Sequence, residues 1–213
     1  MSNLTIKGPV LVLGPHPDDE IGCAGLIRRL VDSGHDVHHF FFSDCAESMP
    51  GVNSTVERLL AECSQSLNIL GVRPDRRNRF DFPVRHFPEH RQAILEKLVE
   101  LRNTLHPGLV LVPNGFDIHQ DHATVHHEAV RAFKHSTILG YELPWNTLEM
   151  SHDCFISLSD EQVGSKMKAL QCYTSQAGRI YANIEFFEAL LRMRGVQSNT
   201  KYAECFEVVR LML

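Results

Sequence analysis

The stretch VLVLGPHPDDE, residues 10–20, joins four aliphatic residues to a turn that carries one histidine and three acids. A continuous apolar run of this kind is typical of a strand that is buried on both faces, as in a parallel sheet. Helical spacing of apolar residues follows over 21–33, and Gly34 stands where a helix commonly ends. The stretch therefore predicts a strand, a polar turn and a helix, which is the first half of a β-α-β unit.

The same alternation continues along the chain. Apolar runs predict strands at 37–43, 109–112 and 138–143, and amphipathic segments predict helices at 54–70, 90–105 and 121–133. A loop with one short strand is expected within 74–88, followed near the end of the chain by helices at 160–173 and 184–193 and a last strand at 204–211. This alternation of strands and helices predicts a Rossmann-like, mostly parallel sheet in a three-layer α/β/α fold, with residues 1–213 as a single domain.

Composition and charge indicate a globular protein and argue against nucleic-acid and membrane proteins. The 213 residues are 43% hydrophobic and 22% charged with a net charge of -5, which is ordinary for a globular protein and does not favour nucleic acid as a partner. Apolar runs are far shorter than the roughly 20 residues that cross a bilayer, so no membrane insertion is expected. The six cysteines form no CxxC pair and no leader pattern is visible, which predicts free thiols and a cytoplasmic location.

Two polar clusters follow predicted strands. Residues 15–20 come after the first strand and residues 114–122 after the strand at 109–112, so both belong at the edge of the sheet where ligands bind. Neighbouring carboxylates repel one another unless a cation is present. Single acids in these turns could instead cap the following helices, but that leaves His16 unexplained. Oxygen and imidazole donors together suit Zn²⁺ or Fe²⁺.

These residues carry a resemblance to a known family. PHPDDE stands complete at 15–20 and HxDH at 119–122, and weaker features lie at Arg58 and Glu62, at 166–176 and at 202–204. In these motifs the chain resembles the PIG-L/LmbE-like deacetylases, zinc-dependent enzymes that remove an acyl group from N-acylated amino sugars. The resemblance extends over nearly the whole chain. It implies the same fold, a Zn²⁺ cofactor with Fe²⁺ as an alternative, a small N-acylated sugar as substrate and a homo-oligomeric assembly.

The resemblance also implies roles for individual residues. It implies a metal-binding set formed by His16, Asp19 and His122. It further implies a catalytic set, with Asp18 as general base, His119 as the group that stabilises the carbonyl oxygen and handles a proton, and Asp121 as the group that orients a histidine. Three protein ligands leave coordination positions open, as a catalytic metal site requires.

Substrate contacts are harder to predict. Arg58 is a candidate for binding sugar hydroxyls or a phosphate, although pairing with Glu62 one helical turn away accounts for it equally well. Trp145 and Tyr173 are candidates for stacking on a sugar ring, with packing in the core as the alternative for both. Nothing in the sequence distinguishes free, nucleotide-linked, lipid-linked and thiol-glycoside amino sugars.

Three other functions are compatible with this fold class. A nucleotide-binding dehydrogenase would carry GxGxxG after the first strand, where this chain has carboxylates. A sugar-binding or scaffold protein on the same fold would be expected to lose a ligand or Asp18, yet every motif position is present. An amidase that acts on a different small-molecule conjugate remains as the third alternative.

Overall fold

The computed structural model describes residues 6–48 and 53–212. Within these residues the strands are β1 (Val10–Gly14), β2 (Val37–Phe41), β3 (Arg77–Arg79), β4 (Leu109–Pro113), β5 (Thr137–Tyr141), β6 (Cys154–Ser157) and β7 (Ala203–Arg210). The α-helices are α1 (Ala24–Asp32), α2 (Asn53–Leu70), α3 (Arg91–Leu105), α4 (Gln120–Ala132), α5 (Asp160–Gln171) and α6 (Ile184–Gln197). No helix in the described part of the chain is both long and apolar enough to span a membrane.

The strands form a seven-stranded sheet with the order β3-β2-β1-β4-β5-β7-β6. Strands β1 to β5 pair in parallel, whereas β7 runs antiparallel to both β5 and β6. The chain proceeds from β1 outward to β2 and β3, then returns to β4 beside β1 and proceeds the other way. The carboxyl ends of β1 and β4 therefore flank the point where the strand order reverses, which is the place where α/β sheets bind ligands.

Alternate residues of the central strands face two separate cores. Val10 and Val12 of β1 pack with residues of α1 and α2, while Leu11 and Leu13 pack with residues of α3 and α4. All four side chains are completely buried. This double burial explains why β1 is apolar throughout rather than alternating. The expected three-layer fold with a mostly parallel sheet is confirmed.

Some boundaries differ from those predicted. The expected helix from Ile21 is preceded by a 3₁₀ turn at Asp19–Cys23, and α1 begins only at Ala24. A Cβ at Gly22 would lie 2.6 Å from the Tyr141 ring, so this turn packs directly against β5 and only glycine fits there. Strand β6 was not predicted, because four half-buried residues at the edge of a sheet leave no clear pattern.

A buried ion pair ties the last strand to the first helix. Glu204 of β7 accepts hydrogen bonds from the backbone N–H groups of Gly25 and Leu26 at 2.8 and 2.7 Å, where α1 begins. The Lys166 ammonium of α5 donates to the same carboxylate at 2.6 Å. Glu204 thus neutralises a buried lysine and satisfies two amides at the helix N-terminus. Through α1 this contact fixes the turn that precedes the helix.

Candidate metal centre

The turn after β1 places His16 and Asp19 side by side. The backbone N–H of His16 donates to Asp19 Oδ2 at 2.7 Å, and both residues are buried. Pro15 and Pro17 flank the histidine and restrict the backbone of the turn. The chain therefore presents an imidazole and a carboxylate together at the carboxyl end of β1.

The start of α4 brings the second cluster to the same place. His119 is the N-cap, and its Nδ1 accepts a hydrogen bond from the Asp121 N–H at 3.2 Å. The backbone N–H of His119 donates to Asp117 Oδ1 at 2.9 Å. These bonds fix the first turn of the helix, so His122 faces back toward β1.

Three potential ligand atoms converge between the two segments. His122 Nε2 lies 3.1 Å from His16 Nδ1, and Asp19 Oδ2 lies 3.4 Å from each of these nitrogens. Ligands bound to a tetrahedral zinc at about 2.0–2.2 Å lie roughly 3.3–3.6 Å from one another. The triangle formed by the three atoms thus has the dimensions and the donor types that such a metal needs. His119 stands beside it, with a ring nitrogen within 4.8 Å of those of His16 and His122.

Each histidine of the triangle is held from behind by a carboxylate. His16 Nε2 lies 3.0 Å from Asp121 Oδ2, and His122 Nδ1 lies 2.8 Å from Asp117 Oδ2. A carboxylate at one ring nitrogen fixes the tautomer that leaves the other nitrogen free to bind a metal. Asp121 therefore lies where the resemblance implies a histidine-orienting residue. Sequence reasoning missed Asp117, although it stands in the second polar cluster five residues before His122.

The carboxylates set the charge of the centre. Burial alone would lower the pKa of His16, but Asp19 and Asp121 outweigh it and raise that pKa to about 10. Burial would raise the pKa of Asp19, but His122 and His16 lower it to about 2. The pKa of Asp18 is raised by burial and by the neighbouring Asp19. The centre therefore favours a positive charge between its carboxylates, which fits a divalent cation.

His119 differs in charge from His16. Burial, followed by the nearby His122 and His16, lowers the pKa of His119 to about 4. The ring is neutral near pH 7, and because its Nδ1 accepts from Asp121 N–H, its proton is on Nε2. In this state His119 is a hydrogen-bond donor through Nε2, not a source of an ionic proton.

A cavity of about 540 Å³ opens over these residues. Asp18, which is half-buried, lines it together with His16, Asp19, His119 and His122. The remaining wall includes further residues that sequence reasoning did not single out, among them Arg85, Arg179 and Tyr181. No motif marks these positions, because they lie in loops that tertiary contacts bring to the site.

The three predicted substrate-binding residues have different positions. Trp145 lines the cavity, with its ring stacked on that of Tyr181 at 3.9 Å and an interplanar angle of 7°. Tyr173 does not line this cavity: it is buried, and its hydroxyl lies 2.8 Å from the Pro17 carbonyl oxygen and 2.6 Å from Glu20 Oε1. Tyr173 therefore lies in the core, which is the alternative that the sequence left open for it.

Arg58 is also outside the cavity. Its guanidinium pairs with Glu62 at 3.0 Å and donates to Thr174 Oγ1 at 2.6 Å. Glu62 in turn accepts from the Ser175 N–H at 2.9 Å. Arg58 thus makes the pair with Glu62 that the sequence offered as its alternative role. The arginine and Glu62 hold the segment that follows α5, and residues 175–181 of that segment form part of the cavity wall.

Comparison with known proteins extends this picture. The profile of the family described as PIG-L, GlcNAc-PI de-N-acetylase, matches residues 11–133. Diacetylchitobiose deacetylase of Thermococcus kodakarensis is 35% identical over 123 residues, which are 53% of this chain and 44% of that protein. The chain thus spans less than half the length of this curated relative.

Solved structures show the same fold. N,N'-diacetylchitobiose deacetylase of Pyrococcus horikoshii superposes with a TM-score of 0.78 at 21% identity, covering 95% of this chain and 84% of that one. GalB, the 4-carboxy-2-hydroxymuconate hydratase of Pseudomonas putida, superposes with a TM-score of 0.77 at 20% identity, covering 97% and 98%. At these identities the similarity concerns the fold, which proteins of different activity share.

The family match covers the strands, the turns and the helix starts that build the candidate centre. It includes both motif segments, 15–20 and 119–122, and more than half of the chain. The chain belongs to the PIG-L, or GlcNAc-PI de-N-acetylase, family.

Proposed function

We propose that the protein is a metal-dependent hydrolase that removes an N-acyl group, in particular N-acetyl, from an amino sugar or sugar conjugate. The products are acetate and the free amine. The observation that carries the proposal is the triangle of His16 Nδ1, His122 Nε2 and Asp19 Oδ2, with Asp18 and His119 beside it in one cavity. The family membership and the deacetylase activity named for the Thermococcus relative support it.

The three atoms of the triangle are assigned as the metal ligands. Two imidazoles and one carboxylate suit Zn²⁺, and Fe²⁺ is the alternative. A divalent metal in this place supplies Lewis-acid activation of a water molecule and of the substrate carbonyl. Asp117 and Asp121 keep the two imidazoles in the tautomers that ligation requires.

Asp18 is assigned as the general base. Its neighbour Asp19 is buried against the two histidines, whereas Asp18 is half-buried, lines the cavity and is not part of the triangle. Burial and the Asp19 charge raise the pKa of Asp18, which makes its carboxylate a better proton acceptor. Asp18 takes a proton from the attacking water as the new carbon–oxygen bond forms. It then returns the proton to the nitrogen as the carbon–nitrogen bond breaks.

His119 is assigned as the group that stabilises the negative charge developing on the carbonyl oxygen. Its neutral ring offers the Nε2 proton to the carbonyl oxygen, whose charge grows as the carbon becomes tetrahedral. The Asp121 N–H at Nδ1 holds the ring in this tautomer. The hydrogen bond is stronger in the transition state than with the substrate, so His119 accelerates the reaction more than it aids binding.

Acetate release by the metal-loaded protein tests the proposal. The panel contains N-acetylglucosamine, diacetylchitobiose, a nucleotide-linked N-acetyl sugar and a non-sugar N-acetyl amide. We expect acetate and amine in equal amounts from at least one sugar, and a loss of roughly 10²–10⁴-fold in rate for Asp18→Asn at unchanged metal content. Failure to hydrolyse any sugar, or an Asp18→Asn protein as active as the parent, would contradict the assignment.

A further inference from the structure

Arg85 has an unusual backbone conformation beside the metal centre. Its φ is +70°, in the left-handed region that costs energy for any residue other than glycine. The conformation is imposed by the site: the Arg85 N–H donates to Asp121 Oδ2 at 2.7 Å, and the Arg85 carbonyl accepts from Gln120 Nε2 at 3.1 Å. Glycine would adopt this backbone without strain. A long cationic side chain at this position therefore points to a use for the side chain itself.

The Arg85 side chain lines the cavity without a carboxylate partner. Within the described residues its guanidinium bonds to the Glu47 carbonyl oxygen at 3.2 Å and has no Asp or Glu oxygen within 4.0 Å. The residues outside that description, 1–5, 49–52 and 213, include no Asp or Glu that could pair with it. Its charge is thus available to a molecule in the cavity.

A second guanidinium reaches the same cavity from a different part of the chain. Arg179 donates to the Tyr181 hydroxyl and lies 5.8 Å from the centre of the Tyr181 ring. Tyr181 is stacked in turn on Trp145, so the arginine rests on a rigid aromatic pair. In the described ranges, 6–48 and 53–212, Arg179 also has no carboxylate oxygen within 4.0 Å.

The acids that line the cavity have other uses. Asp19 belongs to the metal triangle. Asp18, which we assign as the general base, acts on Arg179 through its charge, but among the described residues neither acid pairs with Arg85 or Arg179 within 4.0 Å. Guanidinium groups bind phosphate oxygens through paired, charge-assisted hydrogen bonds. A neutral sugar would leave both charges without a counter-charge, whereas a phosphate supplies two negative charges and several acceptor oxygens.

We propose that Arg85 and Arg179 form an anion subsite that selects N-acyl amino sugars bearing a phosphate or diphosphate group. The inference rests on the proposed function for the acyl group that is cleaved, and it adds the substrate class. Nucleotide-linked and lipid-linked amino sugars share this phosphate chemistry.

Binding to the metal-loaded Asp18→Asn protein tests the subsite without turnover. Isothermal titration calorimetry compares N-acetylglucosamine 1-phosphate with N-acetylglucosamine. We expect the phosphate to bind at least tenfold more tightly, and Arg85→Gln and Arg179→Gln each to reduce this preference about tenfold or more. Arg192→Gln, which removes an exposed arginine outside the cavity, is the matched control and should retain the preference.

The outcomes separate this inference from the proposed function. Equal affinity for the two sugars, or a phosphate preference that survives both substitutions, would overturn the subsite even if the enzyme releases acetate. A preference that depends on the arginines would support it even if no sugar in the panel is hydrolysed. In the active enzyme, kcat/KM for UDP-N-acetylglucosamine and for a prenyl-diphosphate-linked N-acetylglucosamine distinguishes the two sources of the phosphate.

Discussion

Asp117→Asn is the substitution that best separates geometry from charge at the metal centre. Asp117 Oδ2 lies 2.8 Å from His122 Nδ1, and its Oδ1 accepts the His119 N–H at 2.9 Å. Both oxygens thus face donors. Asparagine has one oxygen and one NH₂ group, so it can satisfy only one of the two. If the amide NH₂ faces His122, Nδ1 must accept, and the proton moves to the Nε2 atom that should bind the metal.

The expected loss follows from this competition. Removing a carboxylate behind a ligand histidine typically weakens metal binding by roughly 10–100-fold. That range corresponds to about 1.4–2.7 kcal/mol of binding free energy. If the amide instead turns its oxygen toward His122, its NH₂ opposes the His119 N–H, so the first turn of α4 is perturbed. Either orientation therefore costs metal affinity.

Competition with a chromogenic chelator measures the dissociation constant for Zn²⁺ in the parent and the variant. Asp81→Asn is the matched control, because Asp81 lies on the surface and, among the described residues, pairs with Arg79 alone at 3.3 Å. This variant should bind metal like the parent. Circular dichroism shows whether the variant remains folded. A folded Asp117→Asn protein with a dissociation constant within twofold of the parent would refute the role that we assign to this carboxylate.

Three further outcomes are expected. His119→Ala should lower kcat and kcat/KM together by roughly 10²–10³-fold with little change in KM, because the hydrogen bond from His119 Nε2 to the carbonyl oxygen strengthens only as the oxyanion forms. A raised KM at unchanged kcat in steady-state assays would contradict this role. Lys166→Met should lower the free energy of unfolding by about 3–5 kcal/mol, because it leaves the buried Glu204 charge unpaired. In urea titrations the Lys166→Met/Glu204→Gln double variant should recover part of that loss. Burial lowers the pKa of His39 to about 4, below its usual 6.5. Between these pH values the unfolded chain binds a proton at His39 and the folded chain does not. The free energy of unfolding therefore falls by up to about 3 kcal/mol as the pH drops from 6.5 to 4. His39→Phe should remove that part of the pH dependence in urea titrations at pH 7 and pH 4.5, and an identical pH slope in both proteins would argue against it.

The sequence was sufficient to predict that the two polar clusters meet. Each follows a short, continuous apolar run that is typical of a buried strand, and parallel strands present their carboxyl ends at one edge. The adjacency of β1 and β4 then follows from the usual outward winding of such sheets. This is why His16 and His122 could be paired although 105 residues lie between them.

The side-chain directions could not be predicted in the same way. Tyr173 and Arg58 have the residue types that bind sugars, but Glu20 binds the Tyr173 hydroxyl in the core and Glu62 pairs with the Arg58 guanidinium at the surface. Arg85 and Arg179 lie in loops whose course depends on distant contacts, such as the bond from Arg85 to Asp121. Local pattern fixes which strand end a residue occupies, whereas only the packed structure fixes what it faces.

The bond between Glu204 and the start of α1 also bears on how such an enzyme could be shortened or recombined. All the assigned ligands and catalytic residues lie before residue 133, where the family match ends. A gene fragment that stops there would encode the entire reactive centre, yet it would leave the amides of Gly25 and Leu26 without their acceptor. The segment that matches the family, residues 11–133, can therefore not be moved between proteins as an independent unit. Crossover libraries between relatives should retain active members chiefly when residues 10–32, 166 and 204 are inherited from one parent.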